Sequence, residues 1–138
     1  MAVISETHAA LRFYGDDLDP DDLTERLGSQ PSSSARKGDV MPSGHVVRTG
    51  RWILRVDQCA PGDLDGQIER ILALLTDDLS VWQAVAKFRP NLFVGLFLKE
   101  SNEGIEVSVE NIALLAQRGV SVGLDVYGPR PDESQAAE

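Results

Sequence analysis

The chain has 138 residues, 42% of them hydrophobic, and carries 22 acidic against 13 basic side chains for a net charge of −9. That length suits a single domain burying roughly two-thirds of its unfolded surface, and the hydrophobic content is too high for a disordered chain. The charge excludes a uniformly basic nucleic-acid surface, and the longest apolar run, Leu92 to Leu98, is far short of the ~20 residues of a membrane-crossing helix.

Met1 to His8 show no basic stretch followed by a long apolar one, so no signal peptide is expected and the first six residues read as loose. Cys59, the single cysteine, leaves no internal disulfide, and both features point to the cytoplasm. His8 to Tyr14 reads as a strand with Leu11 and Phe13 on one face and Arg12 and Tyr14 on the other. Gly15-Asp16-Asp17 breaks it. Asp19-Pro20-Asp21-Asp22 then has the chemistry of a helix start. Asp19 serves as N-cap, Pro20 fits the first helical position, and two carboxylates complement the positive helix end. Leu18 and Leu23 have staple spacing, Leu23 and Leu27 share a face, and Gly28 closes the helix.

Ser29 to Val46, rich in Ser, Pro and Gly, reads as a long connector. Val46 to Asp57 is the next strand, with Val46, Trp52, Leu54 and Val56 on one face, Arg51, Ile53 and Arg55 on the other, and Gly50 marking a bulge or a close approach. Asp63 to Phe88 has helical period, either unbroken or restarted by a cap at Thr76-Asp77-Asp78, with Leu79 and Trp82 in its apolar stripe. Leu92 to Leu98 is apolar on both faces and therefore a central strand. A short strand is expected over Ile105 to Val107. Ser108 caps a helix burying Ile112, Leu115 and Ala116, and Val120 to Tyr127 alternates as a one-sided strand. The predicted fold class is α+β: a single-layer mixed or antiparallel sheet of four or five strands with helices on one face, a two-layer arrangement with ferredoxin-like layering. Residues 1–127 form that one domain and 128–138 a disordered tail.

Charge is unevenly distributed. Residues 36–55 hold Arg36, Lys37, Arg48, Arg51 and Arg55 against Asp39 alone, about +4, which leaves about −13 for the rest. Arg36-Lys37-Gly38-Asp39 is the one stretch with the groups to grip a phosphate or carboxylate, and Arg51 and Arg55, two apart on a strand face, suit an acidic partner. The competing reading of the loop is a solvated turn, or an Arg36 or Lys37 paired with the acids between Asp16 and Asp22. Those acids lack the ligand spacing of an EF-hand, since Pro20 interrupts the alternation and Leu27 stands at the twelfth position. Cys59 has only His8 and His45 as prospective bases, and one cysteine with two histidines makes no zinc pattern. Nucleophile-elbow, P-loop and dinucleotide fingerprints are absent, so neither an enzyme nor a metal or cofactor is expected. Trp52 and Trp82 belong to the core by position.

The run Phe13-Tyr14-Gly15-Asp16-Asp17-Leu18-Asp19-Pro20-Asp21-Asp22-Leu23-Thr24, followed by Leu27-Gly28, Pro31 and Arg36-Lys37-Gly38-Asp39, resembles the bacterial family known as domain of unknown function 4279. Gly50-Arg51-Trp52, the helix from Leu64 and the ending Gly119 to Tyr127 fit the same layout, so the resemblance spans about residues 8 to 127. It implies a small stand-alone α+β domain with no established catalytic residues, and it associates the chain with immunity-type inhibitors of toxins. The functional expectation is a non-catalytic cytoplasmic binding protein, an immunity-type inhibitor of a partner protein, with a small-anion or phosphate site at Arg36 and Lys37 as the alternative. No nucleic acid or membrane is expected as a partner, and monomer and homodimer both remain open.

Overall fold

The computed structural model describes residues 2–130. Of the expected tail, residues 128–130 carry no regular element and 131–138 lie outside the described residues. In chain order the strands are β1 (Ala2–Val3), β2 (Glu6–Gly15), β3 (Ser33–Ala35), β4 (Gly50–Arg55), β5 (Asn91–Phe97), β6 (Glu103–Gly104) and β7 (Ser121–Tyr127). The helices are α1 (Pro20–Leu27), α2 (Leu64–Leu74), α3 (Leu79–Ala84) and α4 (Val109–Gln117), with a 3₁₀ turn at Ala86–Phe88.

Strand alternation builds the sheet. Thr7, Ala9, Leu11 and Phe13 of β2 are buried, and cross-strand pairing sets Phe13 beside Trp52, Leu11 beside both Leu54 and Leu92, and Ala9 beside Val94. The order is β3-β4-β2-β5-β7, antiparallel except for the parallel β5–β7 pair. A parallel neighbour needs a crossover, and α4 supplies it between β5 and β7. This is the expected α+β layering. The large apolar residues of the helices, among them Leu23, Leu27, Ile68, Ile71, Trp82 and Leu115, form one cluster with the inward face of β2, β4 and β5.

The helix starts are local chemistry. Asp19 accepts from the backbone N–H groups of Asp21 and Asp22, Asp78 from Ser80 and Ser108 from Asn111. Asp78 therefore ends the ambiguity over Asp63 to Phe88: there are two helices and a 3₁₀ turn. Gly28 closes α1 at φ 81°, a left-handed conformation that costs glycine little. Gly50 marks a close approach, since a Cβ there would lie 2.7 Å from the Gly15 carbonyl oxygen. Trp52 and Trp82 are both in the core.

Several expectations change. Ala2 to Glu6 are not loose, Met1 lying outside the described residues: β1 pairs in parallel with β6, so the short strand after β5 is Glu103–Gly104 rather than Ile105 to Val107. Glu103 gathers that corner by accepting from the backbone N–H groups of Ser5, Lys99 and Glu100. The connector after α1 contains β3, paired with β4, and a hairpin finger closed by a Val40–Val46 bridge, so Val46 lies outside β4 and is exposed. Leu79 and Ile112, assigned to apolar stripes, are 40% and 54% exposed, because no described element covers those sides of α3 and α4.

Candidate functional site

The basic loop and the acidic run meet. Arg36 follows directly on β3, its Nη2 lying 2.8 Å from Asp19 Oδ1 and 3.0 Å from Asp21 Oδ2, and Lys37 Nζ is 3.2 Å from Asp16 Oδ2. Asp39 Oδ2 accepts from the Arg36 backbone N–H at 2.9 Å. Asp19 thus caps α1 and holds the loop. Partial desolvation pushes its carboxyl up, but hydrogen bonds from Arg36 and from the Asp22 and Asp21 N–H groups outweigh that and hold it below the ordinary 3.8. Beyond Asp39 the finger is closed by Gly38 N–H on the Val47 carbonyl and Val47 N–H on the Asp39 carbonyl, both at 2.8 Å. The loop is a clamp on the start of α1, and an anion binding to Arg36 would have to displace two carboxylates.

Arg51 and Arg55 are not part of that clamp. They lie on the sheet face opposite the helices, which alternation and register define row by row. Tyr14 stands beside Arg51, Arg12 beside Ile53 and Asn91, Ala10 beside Arg55 and Phe93, and Glu6 beside Phe97. The parallel β5–β7 pairing sets Phe93 beside Gly123 and Phe97 beside Tyr127. None of these residues belongs to the core cluster; Tyr14, Arg55 and Tyr127 are exposed, Arg12, Arg51, Phe93 and Phe97 are half-buried, and Ile53 is buried.

Two clusters organise this face. In one, the Arg12 guanidinium carbon lies 4.2 Å from the Phe93 ring centroid and 5.6 Å from that of Tyr14, while Nη2 donates to Asn91 Oδ1 at 3.1 Å. Arg12 Nε is buried without a hydrogen-bond partner among the described residues, so aromatic contact replaces part of its solvation. In the other, Phe97 and Tyr127 stack at 4.6 Å and 5°, His8 leans on Phe97 at 4.7 Å, and His8 Nε2 lies 2.7 Å from Glu6 Oε2. Tyr127 donates to Asp125 Oδ2 at 2.6 Å. That hydrogen bond, together with the carboxylate's charge, raises the phenol above its ordinary 10.0. Between the clusters Ala10 and Gly95 floor a depression of about 250 Å³, walled by Phe93, Arg55, Phe97 and Tyr127.

Arg12, Arg51 and Arg55 make no ion pair among the described residues, whereas Arg26, Arg36 and Lys37 each make at least one. The structure therefore divides the basic window: Arg36 and Lys37 are neutralised internally, Arg51 and Arg55 are presented on an aromatic-studded sheet, and Arg48 sits exposed at the bend before β4. This arrangement supplies charge-assisted donors and π faces, which are groups for recognition. Among the described residues no group of three or more His, Cys, Asp or Glu is placed to hold a metal. No described helix is long and apolar enough to cross a membrane. Cys59 Sγ accepts from Arg70 Nη2 at 3.0 Å, away from the open face.

Sequence reasoning identified Arg51 and Arg55 but assigned no role to Arg12, Tyr14, Phe93, Phe97 or Tyr127. The signal for Arg12, Tyr14 and Tyr127 was their place on the polar side of an alternating strand. Phe93 and Phe97 gave none, because β5 is apolar on both faces.

The family model described as Domain of unknown function (DUF4279) matches residues 5–129, and the chain belongs to that family. No curated protein and no solved structure matches it significantly.

Proposed function

We propose that this chain is a non-catalytic binding protein of the cytoplasm that takes a protein partner on the open face of its sheet. The observation that carries the reading is the gathering of Arg12, Arg51 and Arg55, without ion pairs among the described residues, among Tyr14, Phe93, Phe97 and Tyr127 on a face no described helix covers. Arginine and aromatic side chains supply most of the binding energy where proteins meet, because they bury large area at small entropic cost and pair with carboxylates. The shape favours a protein over a small molecule. The depression among the arginines holds about 250 Å³, below the ~300–1,000 Å³ of small-ligand pockets, and the wider hollow of about 810 Å³ at the Glu6, Phe97 and Tyr127 end lies outside the arginine cluster, while the face spans four strands. A partner with carboxylates at its contact surface fits best, and an immunity-type inhibitor that occludes a toxin is the biological form of this reading.

The test is capture from a host extract at low and physiological salt, with the partner identified by mass spectrometry and its affinity measured on purified components. Arg51→Ala and Arg55→Ala should each weaken binding about tenfold, the equivalent of about 1.4 kcal/mol, and should leave the melting temperature unchanged. Failure to recover a stoichiometric partner at low salt would count decisively against the reading. Loss of binding on Arg36→Ala with Lys37→Ala, with Arg51→Ala and Arg55→Ala silent, would move the site to the clamp.

A further inference from the structure

The two ends of the sheet are finished differently. At one, β3 is three residues long, with Pro31 before it and Arg36 and Lys37 after it, which blunts the edge against pairing. At the other, β7 runs seven residues, contains neither proline nor lysine, and has no strand on its outer side among the described residues. The ladder to β5 shows which of its backbone groups are free. Ser121 N–H donates to the Pro90 carbonyl and the Tyr127 carbonyl accepts from Leu98, so the odd-numbered residues bond inward and Val122, Leu124 and Val126 present N–H and C=O outward. The side chains of those three residues are also 47%, 59% and 59% exposed. Beside them an apolar groove of about 400 Å³ runs between β7 and α4, lined by Ile105, Val107, Ile112, Leu115, Val122 and Leu124.

We infer that β7 is a dimerisation edge, covered by β7 of a second copy running antiparallel about a two-fold axis at Leu124. The argument is self-complementarity. With Leu124 on the axis, the outward-facing residues pair as Leu124 with Leu124, Val122 with Val126 and Val126 with Val122, each an antiparallel pair that exchanges both backbone hydrogen bonds. On the open face Gly123 then meets Asp125 and Ser121 meets Tyr127, so no like charges stand opposite one another despite the chain's −9. A two-fold axis perpendicular to the sheet keeps both helical layers on one side, which brings the two grooves together over the axis and extends burial beyond a strip about 23 Å long. A standard interface needs ~800 Å² per partner, more than a strand edge alone provides, and the joined grooves supply the apolar remainder. The chain's own residues 131–138, Pro-Asp-Glu-Ser-Gln-Ala-Ala-Glu, bring no large apolar side chain to this groove. The dimer would carry two copies of the open face on one continuous sheet, but it does not depend on the function proposed for that face.

The test uses the full chain. Light scattering at micromolar concentration should return twice the chain mass. Leu124→Lys should return the monomer with an unchanged circular dichroism spectrum, since the side chain is exposed in the single chain. In a Cys59→Ser background, Leu124→Cys should form an intersubunit disulfide on mild oxidation, because paired Cα atoms lie about 5.5 Å apart, within disulfide reach. Tyr127→Cys, whose opposite residue is Ser121, should not. Three outcomes overturn the inference: a monomer at every concentration up to about 100 µM, a dimer indifferent to Leu124→Lys, or cross-linking at position 127 as readily as at 124. A monomer whose Val122, Leu124 and Val126 amides become protected only when a partner protein binds would assign the edge to that partner instead.

Discussion

Replacing Gln67 with leucine removes the polar hinge between β2 and α2. Gln67 and Thr7 are both fully buried, and three bonds join them or anchor them: Thr7 Oγ1 donates to Gln67 Oε1 at 2.7 Å, and Gln67 Nε2 donates to the carbonyls of Thr7 at 2.9 Å and Asp57 at 3.0 Å. Thr7 Oγ1 also accepts from Asp63 N–H at 3.0 Å. In Gln67→Leu the Thr7 carbonyl keeps Cys59 N–H and the Asp57 carbonyl, on an exposed residue, can turn to water. The buried Thr7 hydroxyl loses its acceptor with no substitute. One stranded buried group and the lost bonds amount to about 2–3 kcal/mol after the gain from the apolar side chain. Thr7→Val strands Gln67 Oε1 and also takes the acceptor from Asp63 N–H, which on an exposed residue can turn to water, so it should cost at least as much. The double variant leaves neither half of the pair stranded. It should cost less than the sum of the singles by about 2 kcal/mol, since contacting residues couple on that scale. Urea titrations of the four proteins measure this cycle, with the m value unchanged. Additivity to within about 0.5 kcal/mol would refute the reasoning, because it would mean that the two side chains are satisfied independently.

Gly50→Ala should cost about 1–3 kcal/mol by denaturant titration, because the new Cβ would meet the Gly15 carbonyl at 2.7 Å and the ladder end would have to open. Desolvation pushes the Asp65 carboxyl up, but hydrogen bonds from Asn111 Nδ2 at 2.7 Å and Ser108 N–H hold it net below 3.8. Its contribution to stability is therefore complete above the unfolded value and is lost as pH falls below 3.8 through the lower folded value, and Asn111→Ala should flatten the urea midpoint between about pH 4 and pH 2. Arg36→Ala should release the finger: the Gly38 and Val47 amides should exchange several-fold faster with deuterium while the Leu11 and Phe13 amides stay protected.

What the sequence revealed was set by how far each interaction reaches. The Asp19 and Ser108 caps were legible because a cap is completed within three residues of its own backbone. The pairing of Arg36 with Asp19 and Asp21 was legible only as an alternative. It depends on β3, a three-residue strand in a Ser-rich segment too short to show a period. Alternation correctly placed Val122, Leu124 and Val126 on one face, and Arg12 and Tyr14 on one face, yet it did not say whether anything lies over them. That depends on how far the helical layer extends across the sheet. Here the described helices cover β4, β2 and β5 on one side and stop short of β7, and none of them packs on the other side. An apolar face left in water costs about 25 cal/mol for each Å² that a neighbour would have covered, so a folded chain seldom leaves one bare without a use for it. Both surfaces proposed for binding, the arginine–aromatic face and the β7 edge, are places where a well-formed strand pattern lacks the covering layer it would normally have. Local reasoning stops there, because on the reading proposed for them what completes each surface is another molecule.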